Sequence, residues 1–284
     1  MPRREFTDAL GAALDDAVVD MSAVRGGDVA ESFRVRLASG RVVFAKTHAA
    51  PPPGFFTTEA AGLRWLRAAD ALPVPEVLAV SDDDPMLVLE WIEEDGRGRS
   101  DEAAFGRALA ALHGAGAPCF GREDRRSTGS RGLPNEPHDS WPEFFASQRL
   151  VPIARLLRDA DAELARRVDT VATRLDALCG PAEPPARLHG DLWAGNRLVD
   201  TTGRSWLIDP ACFGGHREFD LAMMRLFGGF GDAAFAAYAE VAPLADGWAQ
   251  RVPLHQLAPI AIHAIKFGGG YVTGLDRALR ALGA

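Results

Sequence analysis

The sequence predicts an α+β protein in two parts: a small, mainly antiparallel β part with one inserted helix, then a larger, mainly helical part. Three observations predict it. Roughly the first ninety residues hold short β-rich runs separated by Gly, Pro and Asp clusters. After Ile92 the polar, glycine-bearing run Glu93-Glu94-Asp95-Gly96-Arg97-Gly98-Arg99 gives way to segments with helical periodicity. The length, 284 residues, exceeds what one compact domain usually holds. The expected division is therefore 1–92 and 93–284.

The elements follow in order. Residues 6–17 read as a short helix. Residues 18–24 and 32–37 read as strands on either side of the turn cluster Arg25-Gly26-Gly27-Asp28. Ala38-Ser39-Gly40 makes a second turn before a third strand, 41–46. The run Ala49-Ala50-Pro51-Pro52-Pro53-Gly54 must be loop, because consecutive prolines fix φ and remove backbone donors. Residues 58–69 form the inserted helix, with Ala61, Leu63, Trp65 and Leu66 supplying its apolar side, and Pro73 and Pro75 following its end. Two further strands, 77–80 and 86–91, flank Ser81-Asp82-Asp83-Asp84-Pro85. Beyond the connection, helices are expected at 101–113, 142–157, 160–178, 232–242 and 252–266. Short apolar runs at 186–188 and 206–208 bracket a polar loop. Residues 121–140, rich in Gly, Arg, Ser and Pro, read as a mobile loop.

Composition narrows the function classes. Apolar residues make up 47% and charged residues 25%, which excludes a disordered chain. With 31 Lys and Arg against 39 Asp and Glu, the formal charge is −8. Such a field repels polyphosphate and argues against nucleic acid as the main partner, while leaving room for a local basic pocket. Cys119, Cys179 and Cys212 lie far apart, with neither metal-ligand spacing nor a disulfide framework, so a reducing, cytoplasmic location is expected. The start, Met1-Pro2-Arg3-Arg4-Glu5-Phe6, lacks an apolar signal core. The apolar stretch 257–272 is broken by Pro259, His263, Lys266 and three glycines, so no membrane partner is expected.

The sharpest chemical signal is His189-Gly190-Asp191-Leu192-Trp193-Ala194-Gly195-Asn196, an H-x-D-L-x-x-x-N pattern. That is the spacing of a kinase catalytic loop, where the Asp accepts a hydroxyl proton and the Asn reaches magnesium. Thirteen residues after Asn196 comes Ile208-Asp209-Pro210, an Asp ending a short apolar strand, where kinases keep a second magnesium ligand. Pro210-Ala211 replaces the usual Phe-Gly, so a flipping switch is not expected here. Alone, Asp191 and Asn196 would read as turn caps; the full set reads as catalysis. In the β part, Val43-Phe44-Ala45-Lys46 ends a strand and Glu59 follows thirteen residues later. Together they suit a lysine on the α- and β-phosphates and a carboxylate that orients it. Gly26-Gly27 could cradle phosphate through backbone N–H groups, though a plain hairpin turn reads as well. Glu90, Trp91 and Ile92 run into the connection between the two parts and are candidates for holding adenine, or simply an edge of the core. His113 reads as a packed structural residue, and His189 as a holder of the loop rather than a proton carrier. No His pair has zinc spacing, and no nucleophile elbow is present.

Taken together, these residues resemble the fructosamine and ketosamine kinases, within the aminoglycoside-phosphotransferase-like branch of the protein-kinase-like fold. The loop at 189–196 looks like that family's H-G-D-L-W-[SA]-G-N. The run from Asp209 to Met223 is similar to D-P-A-x-x-x-G-H-R-E-x-D-L-A-M. Phe55-Phe56, Trp141 with Phe144-Phe145, Gln148-Arg149-Leu150, Phe227-Gly228-Gly229-Phe230 and Phe267-Gly268-Gly269-Gly270-Tyr271 also match. The resemblance implies ATP- and Mg2+-dependent phosphorylation of the 3-hydroxyl of a ketosamine, free or protein-bound, leading to deglycation. It implies Asp191 as base, Asn196 and Asp209 as metal ligands, Lys46 with Glu59 on the phosphates, and Glu90 to Ile92 on adenine. Trp193 would lie against the sugar with His263 as a further contact. His216, Arg217, Glu218 and Asp220 would brace the site through an Arg–carboxylate network positioning the loop of Asp209. The glycine turn lacks the cysteine through which some relatives form a redox-sensitive dimer, so that switch is not expected here; the sequence leaves the oligomeric state open, with a monomer favoured. The alternatives are a kinase of this fold acting on an aminoglycoside or amino alcohol, and a catalytically silent nucleotide-binding protein.

Overall fold

The computed structural model describes residues 3–24, 30–94, 100–124, 127–128 and 132–284. Along the chain come α1 (Arg3–Leu14), β1 (Val18–Ala23), β2 (Glu31–Leu37), β3 (Val42–Thr47), α2 (Phe55–Arg67), β4 (Val77–Ser81) and β5 (Met86–Glu90). Then follow α3 (Glu102–Gly114), β6 (Ser127–Thr128), β7 (Leu133–Pro134), α4 (Trp141–Phe145), a wide π turn (Ala146–Leu150), α5 (Val151–Leu157), α6 (Ala162–Ala172) and α7 (Leu175–Leu178). The remainder is β8 (Ala186–Leu188), a 3-10 turn (Ala194–Asn196), β9 (Arg197–Val199), β10 (Ser205–Leu207), β11 (Phe213–Gly215), α8 (Glu218–Leu226), α9 (Asp232–Val241), α10 (Trp248–Phe267) and α11 (Gly270–Ala281).

The chain divides into two compact units, Met1–Asp101 with Arg197–Pro210, and Glu102–Asn196 with Ala211–Ala284. The first unit therefore runs past residue 92 and also takes in the β9–β10 hairpin from far along the chain. Hydrogen bonds account for that recruitment. Leu207 N donates to Pro73 O (3.0 Å) and Thr201 N to Glu93 O (3.2 Å), and Glu94 bridges Asp200.

The first unit is an antiparallel sheet in the order β1-β2-β3-β5-β4. Phe6 and Leu10 of α1 pack on Val35, Leu37, Val43, Ala45 and Val88. Side chains alternate across a strand, so the pleat that turns Val43 and Ala45 toward α1 turns Lys46 to the opposite face. There α2 presents Glu59. α2 itself begins after the proline run, at Gly54 with φ 74°.

The second unit is built around Trp141, Phe144, Phe145, Phe213 and Phe219, with Leu254, Leu257 and Leu279 among the residues of the same core. Arg149 is buried between rings, its guanidinium 4.6 Å from the Phe144 centroid and 4.3 Å from that of Phe213. It donates to Pro134 O (2.6 Å), Gln148 O (2.9 Å) and Asn135 Oδ1 (2.9 Å). Burial pulls its pKa down to about 9. This arginine fixes part of the segment whose composition suggests mobility. Phe120 and His138 exchange backbone hydrogen bonds, and Arg122 N donates to Asn135 O. The helices α8 and α11 are absent from the sequence-based assignment. Residues Glu218 to Met224 of α8 are all buried, which erases the amphipathic signal, and the run Gly268 to Gly270 masks the start of α11.

A polar network joins α8 to α10. Arg251 grips Glu218 through two bonds of 2.8 and 2.5 Å, and His255 Nε2 lies 3.4 Å from the same carboxylate. Burial works against the Glu218 charge, but His255 and Arg251 hold its pKa down, at about 2. His216 stacks on His255 with centroids 5.2 Å apart. Burial lowers the pKa of His216 to about 4, and that of His255 also falls. A histidine with a depressed folded pKa contributes stability above its unfolded value and loses it as pH falls toward the folded value. Between pH 6.5 and about 4 His216 therefore destabilises the fold progressively, by up to about 1.4 kcal/mol per pH unit. Glu218 adds a further loss below its unfolded value of 4.5. The urea midpoint is expected to fall between pH 7 and 4.5, with a shallower slope in His216→Asn. A midpoint flat across that range, or an equal slope in the variant, would contradict a buried neutral His216.

Candidate active site

The first unit gathers three of the sequence-derived residues. Lys46 is 7% exposed, and its Nζ donates to Glu59 Oε1 at 2.8 Å and to Asp209 Oδ1. Burial alone would lower the Lys46 pKa, but the charges of Glu59 and Asp209 outweigh it and hold the ammonium above its ordinary value. Burial raises the Glu59 pKa against the pull of Lys46. Asp209 follows β10 and has φ 52°, a left-handed conformation that strains a residue with a side chain. Its partner Lys46 lies 163 positions earlier in the chain.

Glu90, Trp91 and Ile92 line one pocket of the same unit with Glu93, Asp200, Thr201 and Trp206. Asp200 closes the hairpin tip, accepting from Thr202 N (2.8 Å), Thr202 Oγ1 (2.6 Å) and Trp206 Nε1 (2.8 Å). The bonds from Thr202 and Trp206 hold its carboxyl well below the usual range. Arg34 lies 5.3 Å over the Trp91 ring. The Glu90 N–H is committed to Glu76 O at 3.0 Å. Sequence reasoning misses Asp200, Thr201 and Trp206. The alternation of Ser205, Trp206 and Leu207 signals that Trp206 faces away from the buried positions, but not that its hairpin joins this sheet. Gly26 and Gly27 lie outside the described residues.

The second unit holds the H-x-D-L-x-x-x-N loop, and one carboxylate grips it. Asp220, fully buried, accepts from His189 N (2.7 Å) and Gly190 N (2.9 Å). Its Oδ2 is also 3.3 Å from His113 Nε2, whose other ring nitrogen meets Tyr238 Oη at 2.8 Å. His113 is thus the packed structural residue that its helix position suggests. His189 Nδ1 accepts from Asp191 N at 3.3 Å, so this buried ring holds the loop. Asn196 Nδ2 donates to Asp191 O (2.9 Å) and Asp191 Oδ2 (3.1 Å), aiming the carboxylate. Gly190 has φ 80°, and a Cβ there would come within 2.2 Å of Ala211 O. At Gly195 a Cβ would strike the Trp193 ring at 2.2 Å, so that ring lies across the loop's own backbone.

Trp193 is 40% exposed and meets Phe227 edge to face at 6.0 Å. His263 lies 5.1 Å from Phe227, and its Nδ1 meets Pro259 O at 2.8 Å. Of the four expected bracing residues, Asp220 holds the loop directly. Arg217 instead pairs with Glu183 (2.6 and 2.7 Å) and reaches Ala242 O and Pro243 O. Glu218 pairs with Arg251, and His216 Nδ1 accepts from Glu218 N at 3.3 Å. The loop's bracing is a carboxylate on backbone N–H groups, and Asp209 pairs with Lys46.

Each of the two expected metal ligands carries a donor atom that suits a hard divalent cation: within the second unit the Asn196 amide nitrogen is committed to Asp191 and its Oδ1 is an amide oxygen, and within the first unit Asp209 offers carboxylate oxygen. Among the described residues His216, Glu218 and His255 also have ligand atoms within 4.8 Å of one another. There Glu218 is neutralised by Arg251, and His216 Nδ1 is engaged by a backbone donor.

The fructosamine kinase family profile matches residues 4–283. A protein described as a probable ketoamine kinase of Enterococcus faecium is 34% identical over 260 residues, covering 90% of this chain and 92% of that one. A probable ketoamine kinase of Synechocystis is 39% identical over 233 residues, covering 80% and 78%. A crystal structure described as a "putative fructosamine-3-kinase" from Thermobifida fusca superposes with TM-score 0.90 at 40% identity, covering 98% of each chain. The aminoglycoside phosphotransferase APH(4)-Ia shares the fold at TM-score 0.64 and 14% identity, covering 97% of this chain and 98% of that one. No helix among the described residues is long and apolar enough to cross a membrane. The protein is a phosphotransferase of the protein-kinase-like fold, and the chain belongs to the fructosamine kinase family.

Proposed function

We propose that the protein transfers the γ-phosphoryl group of ATP to the 3-hydroxyl of a ketosamine, such as a fructosyl- or ribulosyl-lysine, with Mg2+ as the metal. The phosphorylated adduct then releases its amine, which is deglycation. The observation that carries this reading is Asp191, aimed by Asn196 on a loop that Asp220 grips, two positions from the exposed Trp193.

Asp191 accepts the hydroxyl proton as the sugar oxygen forms its bond to phosphorus and the bond to ADP breaks. Lys46, oriented by Glu59, offsets the charge of the α- and β-phosphates. Beside the base, the ring of Trp193 lies against the sugar, with His263 beyond it. Glu90, Trp91 and Ile92 seat the adenine, and because the Glu90 N–H is already bonded, the donor role passes to Trp91 or Ile92. Asn196 and Asp209 are the residues that would hold magnesium, which would supply positive charge against the phosphates. Most of the catalysis is positioning and electrostatics.

Asp191→Ala is expected to lower kcat by about 10²–10⁴ while ATP still raises the melting temperature. Near-normal turnover in a coupled assay would remove Asp191 from the role of base. Asp209→Asn is expected to abolish the magnesium dependence of nucleotide affinity in calorimetric titration. A dependence equal to that of the wild type would exclude Asp209 as a metal ligand.

A further inference from the structure

Trp193, Phe227, His263, Phe267 and Tyr271 form a continuous run of rings within the second unit. Centroids are 6.0 Å apart from Trp193 to Phe227, 5.1 Å from Phe227 to His263, and 5.7 Å from His263 to Phe267. Tyr271 closes the far end, 5.1 Å from His263 and 5.9 Å from Phe267. The rings come from the H-x-D-L-x-x-x-N loop, the residue after α8, the last turns of α10 and the start of α11. Gly268 and Gly269, with φ of 63° and 55°, carry the chain back so that Tyr271 meets His263.

Trp193, Phe227 and Phe267 are 40%, 38% and 53% exposed. Burying apolar surface is worth about 25 cal/mol per Å², so a contiguous open run of rings marks a binding surface more often than an accident of packing. Its inner end is two positions from Asp191 in the same loop, and Trp193 N donates to Asp191 O at 3.1 Å.

We propose that this run seats the amine part of the acceptor, and that the preferred acceptors are ketosamines of apolar or aromatic amines; the inference rests on the ketosamine reading above. The chemistry of the acceptor links the two. In a ketosamine the nitrogen is on C1 and the attacked oxygen on C3, so the nitrogen follows the reacting centre closely. It is a protonated secondary ammonium at neutral pH, which the face of Trp193 attracts. The substituent on that nitrogen continues over Phe227 and His263 to Phe267 and Tyr271. These outer rings thereby set acceptor preference, while Asp191 handles the sugar hydroxyl common to all ketosamines.

The test compares kcat/KM for the fructose-derived ketosamines of methylamine and of benzylamine. The wild type is expected to favour the benzylamine compound by about tenfold, the worth of one good aromatic contact. In Phe267→Ala and Tyr271→Ala the ratio falls toward one. Phe267→Leu, which keeps apolar bulk, gives an intermediate ratio should the alanine variant fold poorly. Leu156→Ser, at an exposed position of α5, keeps the wild-type ratio. A wild type that phosphorylates both compounds equally, or Phe267 variants with the wild-type ratio, would overturn this inference alone. A wild type that phosphorylates neither would overturn the ketosamine reading itself.

Discussion

One ammonium group holds the first unit's chemistry together. Lys46 Nζ bonds Glu59 from α2 and Asp209 from the end of the recruited hairpin, and it does so at 7% exposure. A buried lysine without partners would shed its proton; here two carboxylates keep it charged. Glu59, whose side chain is 13% exposed, depends on it in turn, since removing one partner of a buried ion pair leaves the other uncompensated. The pleat of β3 makes the arrangement possible, because Val43 and Ala45 are claimed by α1 and Lys46 must face the other way.

The second unit solves a different problem with a different device. The H-x-D-L-x-x-x-N loop keeps its shape while Trp193 within it stays 40% exposed. Asp220 achieves this by accepting two successive backbone N–H groups, at His189 and Gly190, from a fully buried position. Charge-assisted bonds to backbone are strong and directional. They fix the peptide ahead of Asp191, and Asn196 fixes the carboxylate itself. Beyond that rigid segment the chain leaves its aromatic rings open, so the loop combines a held carboxylate with an adaptable surface.

Much of this is legible in the sequence, and the remainder is hidden for definite physical reasons. The five-stranded sheet and α2 follow from turn clusters and alternation, and Lys46 and Glu59 stand out by their places on a strand and a helix. Asp209 is legible as an Asp ending an apolar strand, but its bond to Lys46 spans 163 positions and no local pattern encodes it. Asp220 reads as a bracing residue, yet its partners are backbone N–H groups, which leave no residue signature. The expected arginine network exists, but it ties Arg217 to Glu183 and Arg251 to Glu218. Helix α8 escapes the pattern because burial on all sides removes the contrast that reveals a helix. The hairpin's place in the first unit depends on bonds such as Leu207 N to Pro73 O, which only the folded chain displays.

The most direct test of the account is single-turnover phosphoryl transfer from ATP to a ketosamine by Lys46→Met, with folding checked by circular dichroism. If the paired ammonium is what organises phosphate in the first unit, the rate constant falls by about 10²–10³ in a folded protein. A folded variant transferring within about threefold of the wild-type rate, less than about 1 kcal/mol, would contradict it.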